Sequence, residues 1–164
     1  MRHFHFVSAL GLSLFVLLSG CKTDDGRPKD LPKLYSCTIT VIQDGQPLEG
    51  ANVTFRAKDP TVKFATCSGT TDASGTAKIM TYGFPGVPTG SYKVIVKKII
   101  SEGGEPSTDA SKISSGKKVS EYSLVASEFT KEDTTTLEME ITTQKSEQTF
   151  DVGKSVKDFI GFRP

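Results

Sequence analysis

Tryptophan is missing from all 164 residues, and the two histidines, His3 and His5, both lie within the first five positions. Downstream of residue 5 there is no imidazole to serve as a general base, so a Ser-His-Asp or Cys-His site cannot be assembled there. Two thiolates without a histidine, Cys37 and Cys67, would leave two positions of a tetrahedral zinc site unfilled. The lack of tryptophan removes the strongest ring for stacking on a sugar. Charge of one sign is also missing. With 20 basic and 19 acidic residues there is no basic field to collect nucleic acid. No cofactor, metal or catalytic set is therefore expected, and the chain does not read as an enzyme. The apolar run Phe6 to Leu18, 13 residues long, is shorter than the roughly 20 needed to span a bilayer as a helix.

That run has a context. Arg2, His3 and His5 form a short basic head before it, and two small residues and a cysteine follow it. This is the layout of a secretory signal peptide. Leu18-Ser19-Gly20-Cys21 resembles the lipobox of bacterial lipoproteins. The resemblance implies removal of residues 1–20, acylation of Cys21, and attachment to a membrane through that lipid. The implied address is the bacterial cell envelope, on the outer membrane, facing either the periplasm or the cell surface. Arg2 is the only charged residue of the leader, so the remainder carries 19 basic against 19 acidic residues. Residues 21–33 are polar, with two prolines, and read as a tether.

From residue 34 the pattern changes. Tyr35, Cys37, Ile39 and Val41 alternate with Ser36, Thr38 and Thr40, a half-buried strand that ends at the turn pair Asp44-Gly45. Further strands are expected at Ala51–Arg56, Phe64–Ser68, Thr76–Thr81 and Ser91–Ile100, with an Asx-type turn at Thr71–Gly75 and a stiffened loop at Tyr82–Gly90. Residues 101–120 have scarcely an apolar side chain and read as a mobile surface loop, in which Lys112, Lys117 and Lys118 gather positive charge. Tyr122–Phe129 returns to the domain, and Leu137–Thr142 with Glu147–Val152 forms a closing hairpin. The expectation is an all-β fold, a sandwich of about seven strands over 34–153, followed by a tail, 154–164. No helix pattern longer than a turn or two is found, except at Val156–Phe162 in the tail. Cys37 and Cys67, both expected to face the core, are either a disulfide closing a loop of about 30 residues or two buried thiols.

Three segments look like one family. Gly45-Gln46-Pro47-Leu48-Glu49-Gly50-Ala51-Asn52-Val53, Gly69-Thr70-Thr71-Asp72-Ala73-Ser74-Gly75 and Gly90-Ser91-Tyr92-Lys93-Val94-Ile95-Val96 resemble, in order and spacing, the signature segments of transthyretin-like, carboxypeptidase regulatory-like domains. The resemblance covers roughly residues 36–98. It implies an Ig-like β-sandwich that acts as a folding or interaction module with no chemistry of its own. Relatives that hydrolyse 5-hydroxyisourate use histidines and end in Tyr-Arg-Gly-Ser, whereas this chain ends Gly161-Phe162-Arg163-Pro164. The expected function is therefore a lipid-anchored envelope module in structural support or protein interaction, with an envelope protein as partner. Phe84 and Val87, on the glycine–proline loop, are the candidate contact residues. The alternative is an accessory ligand-binding lipoprotein of a transport or glycan-handling system.

Overall fold

The computed structural model describes residues 26–103 and 119–163. The expected leader, Cys21, the expected tether as far as residue 25 and most of the 101–120 segment lie outside the described residues.

The chain is all-β. It runs β1 (Cys37–Gln43), β2 (Gln46–Pro47), β3 (Asn52–Ala57), β4 (Thr66–Thr70), β5 (Thr76–Lys78), β6 (Met80–Thr81), β7 (Phe84–Pro85), β8 (Gly90–Lys97), β9 (Ile99–Glu102), β10 (Val119–Ser123), β11 (Glu138–Ile141), β12 (Ser146–Asp151) and β13 (Asp158–Arg163). A 3-10 turn, Ser127–Phe129, follows β10. One sheet sets β1 between β12 and the short strands β2 and β5; a second runs β11-β8-β3-β4-β6-β7; a three-stranded ribbon runs β13-β10-β9. Among the described residues no helix is long and apolar enough to cross a membrane.

Strict alternation decides which side chains face inward. Along β1, Cys37, Ile39, Val41 and Gln43 are buried while Thr38, Thr40 and Ile42 are partly exposed. Their inner face meets Val53 and Phe55 of β3, Cys67 of β4 and Tyr92, Val94 and Val96 of β8 in one continuous core. The Phe55 and Tyr92 rings pack 5.8 Å apart, and the Tyr92 hydroxyl donates to the Pro88 carbonyl at 3.0 Å, so the buried ring keeps a partner for its polar tip.

Several expectations change here. There are more than seven strands, because long apolar runs are divided between sheets. Thr76–Thr81 splits at the buried Ile79, whose amide bonds the Cys37 carbonyl. β5 then pairs with β1, and β6 with β4. The run expected at Ser91–Ile100 breaks at Lys98 into β8 and β9. The expected closing hairpin does not form. β11 pairs antiparallel with β8, whereas β12 crosses to the other sheet and pairs parallel with β1, Cys37 opposite Ser146 through Ile42 opposite Asp151. Each strand has one apolar face, Met139 and Ile141 in β11 and Phe150 in β12. Placing them in opposite sheets buries both faces in the same core. The helix expected at Val156–Phe162 is instead strand β13, paired with β10.

Candidate interaction surface

The molecule has two poles. Residues 26–35 enter at the start of β1, where Tyr35 and Val87 exchange backbone hydrogen bonds of 2.9 Å in both directions. β1 then runs to Gln43 at the other pole, where the Gln43 side chain donates to the Leu124 carbonyl at 2.8 Å. Leu124 fastens the ribbon to the sandwich. Its amide bonds the Lys98 carbonyl, and its carbonyl also accepts from the Val156 amide.

The sequence-derived contact residues lie at the entry pole and do not act together. Val87 is fully buried in the core, so it presents nothing to a partner. The glycine–proline composition of its loop suggested a surface segment; the two-way bridge to Tyr35 presses it inward instead. Phe84 is half-buried, with the Arg27 guanidinium 5.7 Å from its ring centroid. Next to it, Tyr82 and Gly83 form the two-residue turn joining β6 to β7, at φ 52° and 84°. Tyr82 is 69% exposed, and its ring meets Phe64, itself at φ 60°, edge-on at 5.0 Å.

Cys37 and Cys67 do face the core, one from each sheet, and both are free thiols. Burial and the neighbouring Cys67 push the Cys37 thiol up to about 12. Burial also raises Cys67, against a hydrogen bond of 3.2 Å donated to its sulfur by the Thr81 hydroxyl. Thiols held this firmly in the neutral form are poor nucleophiles and poor metal ligands.

Asp72 organises its turn. One carboxylate oxygen accepts from the Ser74 hydroxyl (2.6 Å), the Ser74 amide (2.9 Å) and the Thr76 amide (3.0 Å). These donors, the Ser74 hydroxyl foremost, hold the carboxyl below its usual range.

Among the described residues, the largest exposed apolar grouping lies on the ribbon, whose strand β13 falls in what the sequence indicated as a tail. Phe159, Ile160 and Phe162 of β13 are each about half exposed, as is Ile99 at the start of β9. Register places Ile100, Tyr122 and Phe159 side by side, with Glu102, Ser120 and Phe162 one step along the same face. The rings form a chain, Tyr122 to Phe159 at 5.8 Å and Phe159 to Phe162 at 5.0 Å. The Lys157 ammonium closes one side. It lies 4.8 Å from the Tyr122 centroid and bonds both Glu102 oxygens at 2.7 and 2.8 Å, which holds its pKa above the usual lysine range. The available signal was the three-residue spacing of Phe159 and Phe162 around Gly161, which departs from the plain period of two of an even strand.

On the outer face of the first sheet, Thr38, Thr40, Thr76, Glu147, Gln148 and Thr149 line an open depression of about 450 Å³. Its lining is hydroxyls, an amide and one carboxylate, with no ring.

No family model, curated protein or solved structure matches the chain.

Proposed function

We propose that this chain is a non-catalytic, lipid-anchored module of the bacterial cell envelope that engages a protein partner through its ribbon. The observation that carries this reading is the placement of the ribbon's chain of rings, in which Phe159 and Phe162 are about half exposed. Tyr122, Phe159 and Phe162 lie at the pole opposite the one where the chain enters from Cys21. A module tethered at one end and apolar at the other has its contact surface directed away from its anchor. Support for the anchor is Leu18-Ser19-Gly20-Cys21 behind its apolar run; support for a transthyretin-like module is the ordered trio of motifs. Thr71 gives two of those motifs a shared physical role. Its hydroxyl accepts from the Ala51 amide at 2.8 Å and donates to the Leu48 carbonyl at 2.6 Å, joining the second motif to the first.

Two measurements test this reading. An alkyne fatty acid fed to cells should label the wild type and not Cys21→Ser. A photo-crosslinking residue at position 159 should give discrete protein adducts in intact envelopes, whereas the same residue at position 84 should give few. Equal adducts from both positions would reject the ribbon as the contact surface. The ligand-binding alternative draws on the hydroxyl-lined depression, and saturable glycan binding abolished by Thr40→Val with folding intact would favour it.

A further inference from the structure

The ribbon ends on β13, whose outer edge has no strand beside it among the described residues. Exposed edges are commonly guarded by lysine, proline or charge along the strand. β13 carries Phe159, Ile160, Gly161 and Phe162 in its middle, with charge only at its two ends, Asp158 and Arg163. The geometry points to a second copy of this chain as the occupant of that edge, joined antiparallel along β13 about a two-fold axis between Ile160 and Gly161. This rests on the reading of the ribbon as the contact surface and names its occupant; it does not depend on the lipid.

The strand is complementary to itself in three respects. First, antiparallel pairing about that axis sets Asp158 opposite Arg163 of the other copy, and the reverse, so opposite charges meet at both ends. Arg163 already lies 2.6 Å from Glu121 of its own ribbon and would then be held between two carboxylates. Second, Phe159 comes opposite Phe162 of the other copy, and the two chains of rings become one aromatic face. Third, the bulge makes the register workable. In an even strand, pairing about a point between two residues would oppose positions of unlike orientation. Here Asp158, Gly161 and Arg163 pair with Ser123, Glu121 and Val119, while Phe159 and Phe162 pair with Tyr122 and Ser120. The register shift at Glu121/Tyr122 leaves Ile160 as the extra residue. Asp158 and Arg163 therefore share one orientation, Phe159 and Phe162 the other, as the two-fold requires. Ile160 meets Gly161, where no side chain stands in its way. Such a contact is isologous and closes at two copies, joining two three-stranded ribbons into one continuous sheet.

Charge reversal tests this with the full chain in detergent, measured by sedimentation equilibrium, with circular dichroism to check folding. The wild type should be dimeric. Asp158→Arg alone and Arg163→Asp alone should each weaken self-association by at least about tenfold, because like charges then meet at both ends. Mixing the two single variants should restore dimers, since every end then pairs an arginine with an aspartate. The double variant Asp158→Arg/Arg163→Asp should self-associate nearly as the wild type does. A monomeric wild type, or single variants that associate unchanged, would overturn the proposal. Adducts from position 159 to a different protein, with a monomeric wild type, would reject the second copy while leaving the ribbon as the contact surface. Loss of both adducts and dimers would reject the ribbon as well.

Discussion

Thr71 shows how much a single buried hydroxyl holds in this molecule. It is almost fully buried, and it satisfies the Ala51 amide and the Leu48 carbonyl where the chain turns into β3. Thr71→Val keeps the volume but orphans both backbone groups. It should lower unfolding free energy by about 1–3 kcal/mol in urea titration, and Thr71→Ser should recover most of that loss. The thiols make a second prediction at this scale. Since Cys37 ionises only near pH 12 and both thiols are buried, iodoacetamide at pH 8 should leave them unmodified in native protein and label both once unfolded. Rapid native labelling would contradict the burial. The inward direction of Cys37 was legible from the alternation along β1. The absence of a bridge was not, because disulfide geometry depends on how two strands from different sheets approach each other. Val87 was misread for a related reason: nothing local signals that a loop valine will be drawn inward by a bridge to Tyr35, more than fifty positions earlier.

Among the elements, turns were the most readable, because their chemistry is local. Asp44-Gly45 sits at φ 52° and 73° between β1 and β2, the two-residue hairpin that its composition indicates. Gly75 is a stricter requirement. At φ 71°, a Cβ there would stand 2.6 Å from the Val41 carbonyl oxygen, so Gly75→Ala meets both backbone strain and a clash with main chain. It should destabilise by more than about 1 kcal/mol, read as a lower denaturation midpoint with unchanged slope. The Tyr82-Gly83 turn was less expected, since a tyrosine is a poor occupant of positive φ where asparagine is favoured. Sheet membership was the least legible feature. β5 and β6 are separated by one residue and belong to different sheets, and β11 and β12 oppose each other across the core. Alternation states that a strand has an apolar face, but both sheets present an inner face to the same core, and the pattern cannot choose between them.

At the scale of the whole molecule, what the sequence made plain was the class: short strands, frequent turns, an apolar run too short to span a membrane, and no imidazole past residue 5. The ribbon was hidden because its strands come from separate stretches, β9 before and β10 after residues 104–118 and β13 at the end of the chain. Only the folded arrangement brings Tyr122 to Phe159 and puts both at the pole away from residue 26. The parallel pairing of β1 with β12 now takes on a mechanical meaning. A pull between the entry of the chain and the ribbon acts on the start of β1 and on the end of β12, in opposite directions along neighbouring strands. Six facing residue pairs, Cys37 with Ser146 through Ile42 with Asp151, then carry the load together, in shear. Tension applied instead between Tyr35 and Lys145, at one end of the same pair, would part those contacts one after another. Single-molecule extension between residues 26 and 163 should therefore need a clearly higher rupture force than extension between residues 35 and 145. A module held at one pole and loaded at the other would be strongest along the line joining them.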